Sequence, residues 1–380
     1  MRSVRFSLAL VGAGILACSA YAGDSVHIPA KSQSEYAVAY QINPAHSGNI
    51  AFSAGFSVPL TKVWSTSPGA SLSYALIADG RIYVNDSNGI TYALDLSTGA
   101  TKWSKNNGTY LGPAYDNGSI YVVTSGGLLS GLNAKSGKTL WATQLPYQYA
   151  FSSPPMAING QVFTGGAGEG GNIYAVDESN GNLNWTQGVE NGDDSSPAFG
   201  DNGVYVSYPC QYYKFDPVTG NTDWHYSGGC DGGGGNTPAY YAGRVYIQDW
   251  SSGNYVFNAK TGNLLGTFGA SNGYPPAFYQ ISKHKTLGFS LSNGTLYGWK
   301  VSTGTNIWTF AGDGGLSTAP IVVNGVVFEG SSSGSVYALD AKTGSQTWTD
   351  STGGGVTSLA AGQGILVVVS GSTLTAYKPK

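Results

Sequence analysis

The stretch YALDAKTGSQTW, residues 337–348, combines three local signals. Tyr337 and Leu339 fall on one face of a strand, since side chains alternate across a pleated backbone. The segment from Asp340 to Gly344 turns the chain, because an Asp side chain can cap its own backbone and glycine accepts a positive φ. Trp348 then lies on the strand that follows. The same order recurs in YALDLSTGATKW (92–103), YAVDESNGNLNW (174–185) and YKFDPVTGNTDW (213–224). Weaker copies end at Trp141 and Trp308, and the copy around Gly262 has lost its Trp. The anchoring glycines are Gly99, Gly137, Gly181, Gly220, Gly262, Gly304 and Gly344, spaced 38 to 44 residues apart. Repetition at that period marks one supersecondary unit used many times.

Working outward from residues 337–348, each unit reads as four short strands. Residues 318–323 form an apolar run, and Asn324-Gly325 is a hairpin signal. Residues 326–329, 335–339 and 346–349 complete the set. Four strands in about 40 residues, repeated, is the arithmetic of a β-propeller blade. After Trp348 come three more strands, 357–361, 365–369 and 373–378, with no fourth. At the other end Thr61-Lys62-Val63-Trp64-Ser65 echoes Thr101-Lys102-Trp103-Ser104, a fourth strand with nothing before it. Joining the two completes a blade and leaves no open sheet edge at the seam. The expectation is an all-β fold: an eight-bladed propeller of four-stranded antiparallel blades, closed by an N-terminal strand, with seven blades as the alternative.

Composition agrees. Of 380 residues 57 are glycine, while charged residues make up 10% and aromatics 13%. That excludes a helix-dominated chain, because glycine costs about 1 kcal/mol per helical position. It also excludes a disordered one. A net charge of −3 without a basic run argues against nucleic acid as a partner. Residues 1–22 read as a signal peptide, with Arg2 and Arg5, an apolar run and Ala20-Tyr21-Ala22 before the cut. Lipid anchoring through Cys18 is the alternative. Residues 23–58 read as a strap across one end of the ring, and 59–380 as the propeller. The mature chain is expected to be periplasmic or extracellular, monomeric and not transmembrane.

Trp64, Trp103, Trp141, Trp185, Trp224, Trp308 and Trp348 occupy a fixed place in each unit, so they read as structural wedges between blades. Trp250 and Trp299 lie off that position. Loops joining second to third strands share one face with loops joining successive blades, and that face gathers the unusual residues. It carries Cys210 and Cys230, which read as a disulfide closing a loop of about 20 residues, a constraint on the order of 3 kcal/mol. Tyr147, Tyr149, Trp250 and Tyr274 resemble a stacking platform for sugar rings, with packing against the blades as the equal alternative. Glu169, Asp193, Asp194, Asp231 and Asp249 are acidic groups that could line a funnel, bind Ca²⁺ or exchange protons, or simply be solvated loop charge. His225 follows Trp224 on the last strand and faces the opposite way. There is no GxSxG, HExxH or metal-spaced Cys/His set.

The AxDxxTGxxxW pattern resembles the quinoprotein-type (PQQ-like) propeller repeat over about residues 60–380. That superfamily includes quinoprotein alcohol dehydrogenases and the eight-bladed lipoprotein of the outer-membrane β-barrel assembly machinery, and the chain looks closer to the latter. The dehydrogenases carry an adjacent cysteine pair over the quinone, and no two cysteines adjoin here. The resemblance therefore implies no PQQ and no catalytic residue, and Ca²⁺ has no support. The leading expectation is an exported, non-enzymatic scaffold that binds a protein or glycan through the loop face. A carbohydrate-active propeller of polysaccharide-lyase type, with Asp194 or His225 in the chemistry, is the second reading, and a PQQ-dependent dehydrogenase the third.

Overall fold

The computed structural model describes residues 35–167, 170–190, 195–229, 236–249, 253–270 and 272–380, without the side chain of Asp249. The described residues contain strands and no helix, and the strands form eight sheets. Blades 1 to 8 are numbered in chain order from residue 76, and their strands a to d from the axis outward. Blade 7 shows how the repeat folds: Ile321–Val323, Val326–Gly330, Ser335–Asp340 and Gln346–Ser351 pair in sequence, all antiparallel. Asn324 and Gly325 both take positive φ, at 48° and 86°, as the tight hairpin requires. Burial falls from the inside out. Ile321–Val323 is fully buried, whereas Gln346–Ser351 exposes alternate residues.

The ring closes as the sequence implies. Leu60–Thr66 pairs antiparallel with Thr373–Pro379, from Leu60 opposite Pro379 to Thr66 opposite Leu374. That strand is the outermost of blade 8, whose other members are Ser358–Gly362 and Ile365–Ser370.

Adjacent blades are joined by an indole lock, which gives each residue of the repeated motif a task. Asp340 accepts the backbone N–H groups of Lys342 and Thr343 and the Thr343 hydroxyl, so the turn is capped from within. Gly344 takes φ +71°, and a side chain there would meet the Trp308 ring of the preceding blade at 2.6 Å. Trp308 donates its Nε1–H to the carbonyl of Ala341 in the same turn, at 3.1 Å. Trp64, Trp103, Trp141, Trp185 and Trp224 bond in the same way to Leu96, Ala134, Glu178, Pro217 and Ala259, at 2.7–3.0 Å. Their rings lie over Gly99, Gly137, Gly181, Gly220 and Gly262. Trp348 instead meets Tyr377 of blade 8 edge-on, with ring centroids 5.3 Å apart.

Residues 35–52 run along the inner strands. Ala37 exchanges backbone hydrogen bonds with Ile77 of blade 1, and Val38, Pro44, Ala45, Ser47 and Gly48 accept from Tyr115, Phe199, Tyr240, Phe278 and Val322 of blades 2, 4, 5, 6 and 7. Glu35 accepts from Gln363 of blade 8. This segment offers backbone groups to the free edges of the inner strands, which is why it needs little regular structure of its own.

Candidate functional site

Two regions bear on function: the loop face and the axis. On the loop face, residues 146–150 enter blade 3 and bridge to its second-to-third connection. Ala150 and Ala167 exchange backbone hydrogen bonds, at 3.4 and 2.8 Å, and Tyr149 N donates to Ala167 O at 3.3 Å. Gln148 packs on Gly166, where any side chain would collide with it. With the backbone held on that side, Tyr147 and Tyr149 face solvent, 81% and 78% exposed, and Tyr147 takes φ +76°. Two large aromatic rings exposed together on one tethered loop mark a candidate contact surface.

The remaining expected residues are placed as follows. His225 lies on the outer strand Thr222–Ser227, stacked on Tyr213 with centroids 4.1 Å apart, and its Nε2–H donates to Gln211 Oε1 at 2.7 Å. It is exposed while Trp224 beside it is buried. Asp249 ends the second strand of blade 5. Of the two readings open for Tyr274, the structure shows packing. It is half-buried and, like Tyr279, Phe310 and Trp308, packs against the blade 6–7 core. Glu169, Asp193, Asp194, Asp231, Trp250, Cys230 and residues 1–22, Cys18 among them, lie outside the described residues. Cys210 is buried with φ +56°, and its carbonyl accepts Gly228 N at 2.6 Å.

The axis is filled from within. Tyr40 packs on Tyr74 (centroids 5.3 Å apart) and His46 (6.1 Å). His46 is fully buried and its Nδ1–H donates to Pro238 O at 3.1 Å; burial lowers its pKa to about 4, so it is neutral. Tyr40, Gln41, Tyr274, Ala319, Thr357, Ser358 and Leu359 enclose only about 30 Å³. Glu329, fully buried nearby, accepts the Thr318 N–H and hydroxyl at 3.2 and 2.7 Å on one oxygen, and burial pushes its pKa up to about 8. Sequence reasoning missed Glu329. The signal was a lone charge inside the apolar run VVFEG (326–330).

The resemblance raised a quinone with its metal. Such a group carries several carboxylates and needs a flat slot and cations. The space bordered by Tyr40, Gln41 and Tyr274 supplies neither, at about 30 Å³ and with no Lys or Arg in its lining. Among the described residues no three His, Cys, Asp or Glu side chains converge as a metal site. The described residues around that space do not fit the group.

Comparison with solved structures finds the same fold at low identity. A europium-containing methanol dehydrogenase superposes with a TM-score of 0.74 at 15% identity, over 90% of this chain and 91% of its own. BamB from Moraxella catarrhalis gives 0.67 at 19%, over 85% and 98%. The computationally designed Ika8 protein gives 0.68 at 16%, over 83% and 98%. At such identities these likenesses show the fold alone. No curated protein matches the sequence. The family model described as outer membrane protein assembly factor BamB matches residues 41–148, 107–169, 169–277 and 282–380, nearly the whole propeller. The chain therefore belongs to the family of the outer membrane protein assembly factor BamB.

Proposed function

We propose that the protein is an exported, non-enzymatic propeller that binds another protein through its loop face and serves as a scaffold in outer-membrane protein assembly. The observation that carries this reading is the pair Tyr147 and Tyr149, presented to solvent by a loop whose backbone is tied to Ala167. Rigid exposed tyrosines supply contact area at small entropic cost. Family membership supports the partner class, and a propeller whose axis is filled by its own chain suits a binding platform. The same family membership supports periplasmic localisation. Among the described residues no helix is long and apolar enough to cross a membrane.

The test replaces Tyr147 with a photoreactive phenylalanine in cells of the source organism. Crosslinks to an outer-membrane assembly component, lost in a Tyr147→Ala/Tyr149→Ala background probed from a neighbouring position, are the expected result. A full set of crosslinks in that background counts against the loop face. The same two rings favour a second reading, stacking on a glycan; retention of the wild-type protein, but not the double variant, on a polysaccharide column would select it.

We further propose that Cys210 and Cys230 are joined. Gly228, two residues before Cys230, bonds to Cys210, and a Cβ at Gly228 would lie 3.3 Å from the Cys210 Cβ. Alkylation of both thiols in the unreduced, denatured protein would refute the bond.

A further inference from the structure

One blade junction lacks its wedge. Across the bulge between the two outer strands, Trp103 stands opposite Ala93, Trp141 opposite Gly131, Trp185 opposite Ala175 and Trp308 opposite Gly298. In blade 5 the same register position, opposite Val256, is held by Gly266. No indole therefore reaches the turn of blade 6. A cavity of about 310 Å³ remains, with Arg244, Leu265, Phe268, Val301 and Gly304 in its lining. That is at the lower end of the size of ligand pockets.

Both elements that receive an indole at six of the other junctions are still present. Gly304 takes φ +69°, and no side-chain atom covers it; its one close neighbour is the Thr267 carbonyl, 3.2 Å from where a Cβ would stand. Val301 is the counterpart of Ala341 and Ala259, whose carbonyls accept a Trp N–H. Its own carbonyl accepts only a long bond of 3.3 Å from Arg244 Nη1 among the bonds described. Compensation has come from behind. Trp299 stands where blade 1 has Leu94 and blade 7 has Leu339, packed on Phe268 and Tyr246 with centroids 5.5 and 6.0 Å away. The Trp299 ring is buried and its N–H bonds inward to Ser290, so it forms a floor and leaves the mouth open. The mouth borders the edge strand Leu264–Thr267, all four residues exposed, with Leu264 and Leu265 facing solvent.

We propose that this cavity receives a tryptophan side chain from an extended segment of a partner protein. The indole would lie over Gly304 and donate its N–H to Val301 O, displacing Arg244 to the ring face, where a guanidinium is favourable. A peptide is the occupant that also uses the unpaired edge of Leu264–Thr267, by adding a strand to the blade. The turn of Val301 and Gly304 joins third to fourth strands and so lies on the face opposite Tyr147. The site is thus independent of the loop-face reading.

The full-length mature protein is titrated with acetyl-Gly-Trp-Gly-amide, with acetyl-Gly-Leu-Gly-amide and with free indole, following backbone amides by NMR. Saturable shifts at residues 264–268 and 301–304 with the Trp peptide, absent with the Leu peptide, are expected. No shift there, equal shifts with both peptides, or a response to indole without one to the Trp peptide overturns the proposal. Gly266→Trp supplies the ring in cis and is expected to abolish the response; a folded variant that responds as before overturns it. Because φ at Gly266 is +144°, that variant can fail to fold. Arg244→Glu is the second variant, expected to weaken the Trp peptide about threefold, and an unchanged affinity there rejects the assigned pose.

Discussion

Glu329 occupies the position that Val84 holds in blade 1, each opposite the Tyr of its repeat. A buried carboxyl at an apolar position is most stable as the neutral acid, and burial raises its pKa from 4.5 to about 8. Glu178 behaves alike, raised to about 9 by burial and then by the neighbouring Asp116. For a raised pKa the folded chain holds the proton more tightly than the unfolded one. The stabilisation is complete below about pH 4.5 and is lost as pH climbs toward 8 or 9, by at most about 1.4 kcal/mol per pH unit per group. The melting temperature, followed by circular dichroism, should therefore fall from pH 5 to pH 9. Glu329→Gln should flatten that fall and exceed the parent at pH 9; identical slopes would contradict the assignment. The one trace of this in the sequence was the place of Glu329 inside an apolar run; a lone Glu otherwise reads as a solvated charge. Binding and packing stayed equal readings for Tyr274, since whether a loop aromatic faces out or in is decided by the neighbouring blade.

At the scale of the element, the capped turn and the indole that covers it form one device. Its chemistry is local, so the turns, the strand order and the wedge role of Trp were readable from the residues alone, as was the unit without its Trp. What floors that vacancy was not readable, because Trp299 belongs to the next repeat. The device makes a comparative prediction. Gly220→Ala places a methyl 2.6 Å from the Trp185 ring at φ +72°, whereas Gly160→Ala, at φ +80°, meets nothing within 4 Å. Both changes carry the left-handed penalty of roughly 1–2 kcal/mol. Gly220→Ala adds overpacking of about 1–3 kcal/mol. Urea unfolding should separate the two variants by that second amount, and equal losses would show that the ring is not held against the turn.

For the whole molecule, closure by Leu60–Thr66 was foreseeable from a strand without a blade and a blade without a strand. The course of residues 35–52 was not. Its partners are spread over seven blades, and Gln41, Ile42 and His46 adopt positive φ, which no periodicity announces. Replacing residues 60–66 with a flexible linker of equal length exposes the edge of Thr373–Pro379. Calorimetry should then show a lower and broader transition; an unaltered one would mean that blade 8 holds without its outer strand. The inner segment has a temporal consequence. A chain delivered amino end first releases residues 35–66 before any of the sheets they will join, so hub and clasp must both wait for partners made later. Assembly of this wheel is then bound to finish at its seam, and whatever escorts the nascent polypeptide has the exposed clasp to guard until the final three strands emerge.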